Sequence, residues 1–391
     1  MTSLAEAATP LHGLKPELGD DSDLEMLREI VGEARVVCLG ESAHWVSEFG
    51  RLRDRLTRFL VREMGFSAFV LESGLPEGLA VDRWVRGGSG ELADVARHGI
   101  TYAMGRCEEM HTQLRWMRDW NTRQRPVRFV GMDVPGWCAN PGPGVAACLE
   151  RIPAKPGDAA LLAAADFGEP ARGPSPDAHD APGVAVGLKQ ALTELVARAE
   201  TTGDQLARQC ARGALTVVEF LDGGLYPAPG RNLRNEAMAE NLRTLLAREQ
   251  RVVVGGHNVH LQRSLSFDGT TTLGMLLADE LGCDLVVIGG LHTRGAIPDL
   301  DLAAAPDGRY PLTGPTPSPP DPHTLEAALG STGHPVQLVD LRRLPSHALD
   351  GITATRAQSP HQTILMNIDA HRTFDAALHV HNITPARGAT D

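Results

Sequence analysis

Short apolar runs alternate with amphipathic segments along most of the chain. Seven mostly apolar runs predict buried strands: 34–39, 67–71, 127–132, 252–256, 284–288, 336–341 and 376–381. Apolar residues at helical spacing predict helices between them, at about 22–31, 47–64, 76–86, 90–97, 107–122 and 271–281. Continuous apolar strands that alternate with helices are typical of an α/β fold, so we expect a mostly parallel central sheet flanked by helices.

The middle of the chain departs from this alternation. Five consecutive helices are predicted there, at 143–151, 157–165, 184–200, 203–222 and 231–248. The Pro- and Gly-containing stretches at 168–183 and 306–322 predict loops. We therefore expect two halves of one α/β core, at 20–140 and 249–386, separated by a helical insertion at 141–248. The insertion is expected to form a lid over the C-terminal edge of the strands.

Ionisable residues follow four of the predicted strands. Glu41 and His44 come after the first strand, Glu72 after the second, Asp133 after the third and His257 after the fourth. Right-handed crossovers bring the C-terminal ends of parallel strands to one edge of a sheet, where open α/β folds build ligand sites. The sequence therefore predicts that these side chains share one pocket.

His44 is the candidate general base, because an imidazole titrates near neutral pH and can take a proton from water. Glu41 lies three residues earlier and could orient the ring and stabilise the imidazolium. Glu72 could share that role or hold the water. Asp133 is expected to orient a histidine or to cap a helix.

Arg53 is distinguished by its position on the predicted helix over 47–64. The apolar side of that helix consists of Phe49, Leu52, Leu56, Phe59 and Leu60. Arg53 lies on the same side, where an arginine needs a carboxylate, so it is expected to pair with Glu41 or Glu72 or to bind a substrate oxygen. Three other arginines lie on the opposite side and are expected to face solvent: Arg51, Arg55 and Arg58.

Two histidines follow paired glycines in the segment 255–260. If a helix starts there, His257 and His260 share a face, and one of them could stabilise an oxyanion or act as the acid opposite His44. A metal site is an alternative for this pair, although the segment lacks the HExxH pattern. His292 follows a strand and is expected to line the pocket.

Composition excludes several classes of protein. The 391 residues carry a net charge of −12 and the basic residues form no stripe, which disfavours nucleic acid and anionic membranes as partners. The six cysteines lack metal-ligand spacing, and no leader or apolar run of membrane-spanning length occurs, so the cytoplasm is the expected location. There is no Walker A motif, no GxGxxG after the first strand and no GxSxG, which disfavours nucleotide binding and a serine hydrolase mechanism.

Several segments resemble the erythromycin esterase family in order. They are LGESAHWVSEFGRLRDRL with GFSAFVLES near the start, then WMRDWN, VRFVGMDVP, RNEAMAENL, VVVGGHNVHLQR, LVDLR and FDAALHVHNITPA. The resemblance spans about 20–386 and implies hydrolysis of a lactone by an activated water, without metal or other cofactor. It assigns the reaction to Glu41, His44, Arg53, Glu72 and His257. His44 would activate the water, both glutamates would orient and polarise, and Arg53 and His257 would support the carbonyl oxygen.

We therefore expect a hydrolase that opens an ester or lactone of a small molecule, macrolide or otherwise polyketide-like, with no serine nucleophile. Arg234 lies near the presumed pocket and is grouped with Asp133, His260 and His292 as substrate-binding or supporting residues. Three alternatives stay open: a non-hydrolytic acid/base enzyme, a metal-dependent hydrolase, and a protein that binds without turnover. The sequence does not indicate the oligomeric state.

Overall fold

The computed structural model describes residues 4–15, 20–168, 187–224, 228–297, 318–357 and 364–388. Of the two predicted loops, residues 169–183 and 306–317 lie outside the described residues. No helix in the described ranges is both long enough and apolar enough to cross a membrane.

A mostly parallel sheet forms the centre of the fold. The strands are β1 (Ala8–Pro10), β2 (Val36–Glu41), β3 (Ala68–Gly74), β4 (Arg128–Asp133), β5 (Val252–His257), β6 (Leu285–Gly295), β7 (Val336–Asp340), β8 (Ala354–Arg356), β9 (Leu365–Asn367) and β10 (Ala376–Ile383). Eight of them form one sheet in the order β1-β7-β10-β6-β2-β5-β3-β4, and β8 pairs with β9. The neighbours from β10 to β4 are all parallel, whereas β7 is antiparallel to both β10 and β1.

Helices cover both faces of this sheet. They are α1 (Leu4–Ala7), α2 (Glu25–Val31), α3 (Ser47–Met64), α4 (Leu75–Val85), α5 (Leu92–Gly99), α6 (Glu108–Asn121), α7 (Gly142–Leu149), α8 (Asp158–Ala165), α9 (Leu188–Thr202), α10 (Gln205–Gly223), α11 (Leu233–Leu246), α12 (Asn258–Leu261), α13 (Leu273–Leu281), α14 (Leu325–Gly330) and α15 (Ala370–Thr373). Each predicted strand and helix in the described ranges has a counterpart here, with bounds that differ by a few residues except at the C-terminal end of β6.

The burial of β2 shows why its sequence is continuously apolar. Val37 and Leu39 pack with Leu52 of α3 in one apolar cluster, whereas Val36 and Cys38 belong to the cluster on the opposite face. Successive strand residues point to opposite faces, so a strand covered on both sides must be apolar at every position. This confirms the predicted α/β architecture.

The helices that follow β4 form a cluster of their own. Helices α7, α8, α9 and α10 bury their apolar side chains against one another and against Leu75 at the start of α4. Helix α11, which the sequence assigned to the insertion, instead packs Met238 and Leu242 against the sheet. The division of the chain at 140 and 248 stays a prediction.

Two arginines of α3 differ from the expectation that they face solvent. Arg55 is fully buried, with Nη1 and Nη2 donating to Asp23 at 2.9 and 2.6 Å. Arg58 is also buried, where it donates to Asp54 and lies over the ring of Trp116. The expectation was wrong because the N-terminal segment and α6 cover the side of α3 that faces away from the sheet.

Candidate active site

The ends of four neighbouring strands bring the predicted polar residues together. Glu41 at the end of β2 is the direct register partner of His257 at the end of β5. Glu72 lies near the end of β3 and Asp133 ends β4, in the sheet order β2, β5, β3, β4. Residues more than two hundred positions apart therefore share one edge of the sheet.

Glycines at the end of β5 make room for two of these side chains. A Cβ added at Gly255 would lie 2.8 Å from Cδ of Arg53, and one added at Gly256 would lie 3.1 Å from Oε2 of Glu72. Both distances are shorter than ordinary van der Waals contact, so a larger residue at either position would displace the charged group.

Asn258 connects the adjacent strands β2 and β6 at the same edge. Its Nδ2 donates to the carbonyl of Gly290 at 2.8 Å, and its Oδ1 accepts from the Gly290 N–H at 3.3 Å. The same Oδ1 would be 2.0 Å from a Cβ added at Gly40. The side chain thus satisfies two buried backbone groups and holds the start of α12 against the sheet.

A chain of three ionisable side chains begins at His44. Its Nδ1 is 2.7 Å from Oε1 of Glu41, whose Oε2 accepts from Nη1 of Arg53 at 2.7 Å. Burial alone would raise the pKa of Glu41, but Arg53 and His44 outweigh that effect and lower it. Burial alone would lower the pKa of His44, but Glu72 and Glu41 raise it. The ionised Glu41 therefore fixes the proton of His44 on Nδ1 and leaves Nε2 as the basic nitrogen.

Glu72 lies on the other side of His44, with Oε1 3.9 Å from Nε2 of that ring. Its Oε2 accepts from the backbone N–H of His257 at 2.7 Å, and its Oε1 accepts from Nη2 of Arg234 at 2.7 Å. Burial favours the neutral acid, yet the positive charges of His260 and Arg234 hold the pKa of Glu72 well below its usual range. The buried carboxyl group is therefore ionised at neutral pH.

Arg234 joins the carboxylates of β3 and β4. Its Nε and Nη2 both donate to Asp133, at 2.6–3.1 Å, while Nη2 also donates to Glu72. The guanidinium lies 5.0 Å from the ring centre of Tyr102, whose hydroxyl donates to Asp133 at 3.1 Å. The sequence predicted that Asp133 orients a histidine or caps a helix, whereas in the structure its carboxylate contacts Arg234 and Tyr102.

His260 packs beside this arginine. Its Nδ1 is 2.7 Å from Oδ1 of Asn235, and its Nε2 is 3.0 Å from Nη1 of Arg234 and 3.3 Å from Oε1 of Glu72. His260 thus contacts both members of the buried Glu72–Arg234 ion pair.

His257 has a different environment from His44, although the two ring centres are only 5.0 Å apart. Its Nδ1 accepts from the backbone N–H of Val259 at 3.1 Å, which places the proton on Nε2. Burial, together with the charge of His44, lowers the pKa of His257 to about 3. Nε2 is buried and has no hydrogen-bond partner in the described part of the chain. His257 thus presents a neutral N–H donor close to a basic imidazole.

His292 contacts the segment that carries His44. It is fully buried, and its Nδ1 lies 2.9 Å from Oγ of Ser42, the residue that follows Glu41. The contact ties that segment to β6. In this position His292 stabilises the turn between Glu41 and His44 through its contact with Ser42.

Sequence reasoning missed several contributors to the site. Ser42, Tyr102 and Asn235 each hold one of the ionisable groups, but a neutral side chain has no pattern that marks such a role. Tyr102 has a positive φ of 58°, which is uncommon for a tyrosine and is not visible in the sequence. Within the described ranges, no group of three or more His, Cys, Asp or Glu side chains is arranged to hold a metal ion.

Comparisons with known proteins identify the family to which the chain belongs. A sequence profile described as erythromycin esterase matches residues 61–383, so Glu41, His44 and Arg53 precede the matched range. The chain is 35% identical over 116 residues to the type II erythromycin esterase of Escherichia coli, and 29% identical over 140 residues to the type I enzyme. The type II match covers 29% of this chain and 26% of that relative, and the type I match covers 36% and 33%. The chain therefore matches a third or less of the length of either enzyme.

A solved structure extends the likeness to the whole fold. The structure of a mutant erythromycin esterase, EreC, in its open conformation superposes with a TM-score of 0.72 at 21% identity. The superposition covers 97% of this chain and 98% of that one, and at this identity it shows a shared fold. Since the family profile spans most of the chain, this protein belongs to the erythromycin esterase family.

Proposed function

We propose that this protein hydrolyses a carboxylic ester or lactone with a water molecule activated by His44. Membership of the family supports an esterase-like hydrolase, and the paired imidazoles support this particular mechanism. The observation that carries the proposal is a basic imidazole 5.0 Å from a neutral one. The pKa of His44 is raised and that of His257 is lowered to about 3, so one ring can accept a proton while the other donates a hydrogen bond.

In the first step, the oxygen of water attacks the acyl carbon and Nε2 of His44 takes the proton. Glu41 accepts from the Nδ1 proton throughout and stabilises the imidazolium that forms. The carbonyl oxygen becomes an oxyanion, to which Nε2–H of His257 donates. Because the pKa of His257 is lowered to about 3, this ring does not take the proton from the imidazolium of His44.

In the second step, the tetrahedral intermediate collapses and the ester C–O bond breaks. The imidazolium of His44 returns its proton to the departing alkoxide oxygen, and the products are a carboxylic acid and an alcohol. Arg53 acts through Glu41 in this scheme, because its Nη1 donates to that carboxylate. We assign Glu72 the role of holding the water, because its Oε1 lies 3.9 Å from Nε2 of His44.

The substrate pocket is assigned to the space between the strand ends and the helices α7 to α10. Pro135, two residues after β4, packs close to Gly144 of α7 and Gly213 of α10, which attaches these helices at the C-terminal edge of the sheet. We assign the helices the role of a cover that limits water around the reacting ester. A macrolide or another polyketide-like lactone is the proposed substrate class.

The test is a panel of macrolides and simpler lactones and esters, incubated with the protein and analysed by mass spectrometry. A gain of one water is expected for the substrate, and in H₂¹⁸O the label should appear in the acid product. A product without label would identify elimination or acyl transfer instead. Activity lost on chelation and restored by a metal would favour a metal-dependent hydrolase.

Variants at two histidines supply the matched comparison. His44→Ala should lose about 10²–10⁴-fold in kcat while folding normally, the usual contribution of a general base. His347→Ala removes an exposed histidine and should leave kcat unchanged. Full activity in His44→Ala would falsify the role given to this residue.

A further inference from the structure

One buried carboxylate near the site has no role in the mechanism above. Glu109 lies in the first turn of α6 and is only 6% exposed. Its Oε1 accepts from Oγ of Ser47, at the start of α3, at 2.5 Å. Its Oε2 is buried and has no hydrogen-bond partner in the described residues. A buried carboxylate oxygen without a donor is costly, so the surroundings of Oε2 require an explanation.

Arg53 carries a buried donor without an acceptor in the described residues. Its Nη1 donates to Glu41, but its Nε is buried and lacks an acceptor within the part of the chain that is described. Arg53 and Glu109 line the same small cavity, together with Glu41. The cavity that Glu41 lines is therefore also bordered by Arg53, whose Nε–H lacks an acceptor, and by Glu109, whose Oε2 lacks a donor, among the described residues.

The size of that cavity matches a single water molecule. The centre of a water molecule can occupy about 20 Å³ of it, and roughly 10–15 Å³ is sufficient. The remaining walls are mostly apolar: Trp45, Val46, Gly50, Met104, Cys107 and Ala386. Among the lining side chains, those of Glu41, Arg53 and Glu109 are the charged partners for a water held there.

The backbone is adapted to bring Glu109 to this place. A Cβ added at Gly50 would lie 2.9 Å from Cβ of Glu109, so α3 and α6 approach this closely only because position 50 is glycine. Burial raises the pKa of the neighbouring Cys107 thiol to about 12, and the charges of Glu109, Arg53 and Glu41 all act on it. These charges therefore interact in a medium that screens them weakly.

We propose that Glu109 is a positioning residue for the reaction, linked to Nε of Arg53 by a buried water molecule. The water accepts from Nε–H and donates to Oε2, which satisfies both orphaned atoms. Arg53 is then held between two carboxylates, Glu41 directly and Glu109 through the water. Glu41 in turn orients His44. The charge of Glu109 therefore acts on the general base through two side chains, Arg53 and Glu41.

The charge of Glu109 has a predictable effect on His44. Without it, the positive charge of Arg53 is less compensated, and the imidazolium of His44 becomes less favourable. The groups that also face His44 are Glu41, Glu72, Arg234 and His257, and these are unchanged in the test. The charged groups near Glu109 on its outer side are Lys15, Arg51, Asp54, Glu108 and Arg387.

The experiment measures the pKa of His44 by NMR of histidine-labelled protein, with the resonance assigned by its loss in His44→Ala. Glu109→Gln should lower that pKa by about 0.3–1 unit. Glu109→Asp keeps the charge and should restore most of it. Glu108→Gln removes the adjacent exposed carboxylate and is the matched control, with no expected shift. An unchanged His44 pKa in a folded Glu109→Gln protein would overturn the proposal.

A high-resolution crystal structure of the unaltered protein tests the water itself. A water oxygen within hydrogen-bond distance of both Nε of Arg53 and Oε2 of Glu109 is expected. A dry cavity, or separate partners for the two atoms, would refute the link. This test also covers the case in which Glu109→Gln fails to fold.

The kinetic part of the inference rests on the proposed function. Glu109→Gln should reduce kcat about tenfold with KM changed by less than about twofold, because the base is misplaced while the substrate contacts stay. The NMR and crystallographic tests need no substrate. A shifted His44 pKa in a protein that cleaves no ester would reject the hydrolase proposal alone, whereas ester cleavage without a shift would reject the role of Glu109 alone.

Discussion

Arg234 is the cation on which two buried carboxylates depend. The Glu72 and Asp133 side chains are 2% and 0% exposed, and Arg234 contacts both at 2.6–2.7 Å. Arg234→Met removes the charge and keeps much of the apolar stem. Breaking a buried ion pair from one side costs about 3–5 kcal/mol, because the remaining charges stay buried without compensation. We expect Arg234→Met to lower the free energy of unfolding by about that amount at neutral pH.

Urea denaturation followed by circular dichroism and fluorescence provides the measurement. Arg343→Met is the matched control, because Arg343 pairs with Glu29 at a similar 2.7 Å but both side chains are more than half exposed. Exposed pairs contribute at most about 1 kcal/mol, so the control should change little. A loss in Arg234→Met no larger than that in Arg343→Met would refute the reasoning.

The pH dependence of the same variant adds a second criterion. Arg234 and His260 hold the pKa of Glu72 well below its usual range, so this carboxylate stabilises the protein above its unfolded pKa and loses that effect as pH falls through its folded pKa. Without Arg234, Glu72 can take up a proton at a higher pH. The difference between Arg234→Met and the unaltered protein should therefore shrink as pH falls from 7 towards 4.5. Adding Glu72→Gln and Asp133→Asn to the variant should recover most of the loss.

Three more predictions concern the site. For the proposed hydrolysis, kcat/KM should fall on the acid side with a midpoint above pH 6.5, because the pKa of His44 is raised and its neutral form is required; a pH–rate profile with an acid limb well below 6.5 would contradict this. Gly255→Ala should lower kcat about tenfold by displacing Arg53, whereas Gly223→Ala, with no atom within 4 Å of the added Cβ, should not; equal rates in a steady-state assay would exclude the steric argument. Asn258→Ala should cost about 2–4 kcal/mol in urea denaturation, because the N–H and carbonyl of Gly290 both lose a partner, and a loss below 1 kcal/mol would argue that water replaces the side chain.

The strands were predictable because of how they are buried. A strand such as β2, with Val36 and Cys38 on one face and Val37 and Leu39 on the other, must be apolar throughout when helices cover both sides. The apolar residues along one side of α3 predicted this helix with its observed bounds, Ser47–Met64. The error at Arg55 and Arg58 arose because helical phase reports which side meets the sheet, and says nothing about what covers the opposite side.

The candidate site was predictable to the extent that topology controls it. Once the strands are parallel, residues at their C-terminal ends share an edge, which is how Glu41, Glu72, Asp133 and His257 were selected. Arg234 was placed near the pocket from the resemblance of its segment to the family, but its position between Glu72 and Asp133 was not foreseen. Helix α11 carries it onto the sheet, and no local pattern specifies which helix reaches which strand.

The amino-acid sequence by itself determined the α/β alternation, the order of its elements and the chemical type of each residue at the strand ends, because these depend on local periodicity and on strand direction. The tertiary structure decided how readily each of two imidazoles takes up a proton. His44 and His257 are both imidazoles at the same sheet edge, yet one has a raised pKa and the other a pKa lowered to about 3. That difference comes from burial and from carboxylates brought close by distant parts of the chain, and such through-space interactions are set only when the chain has folded.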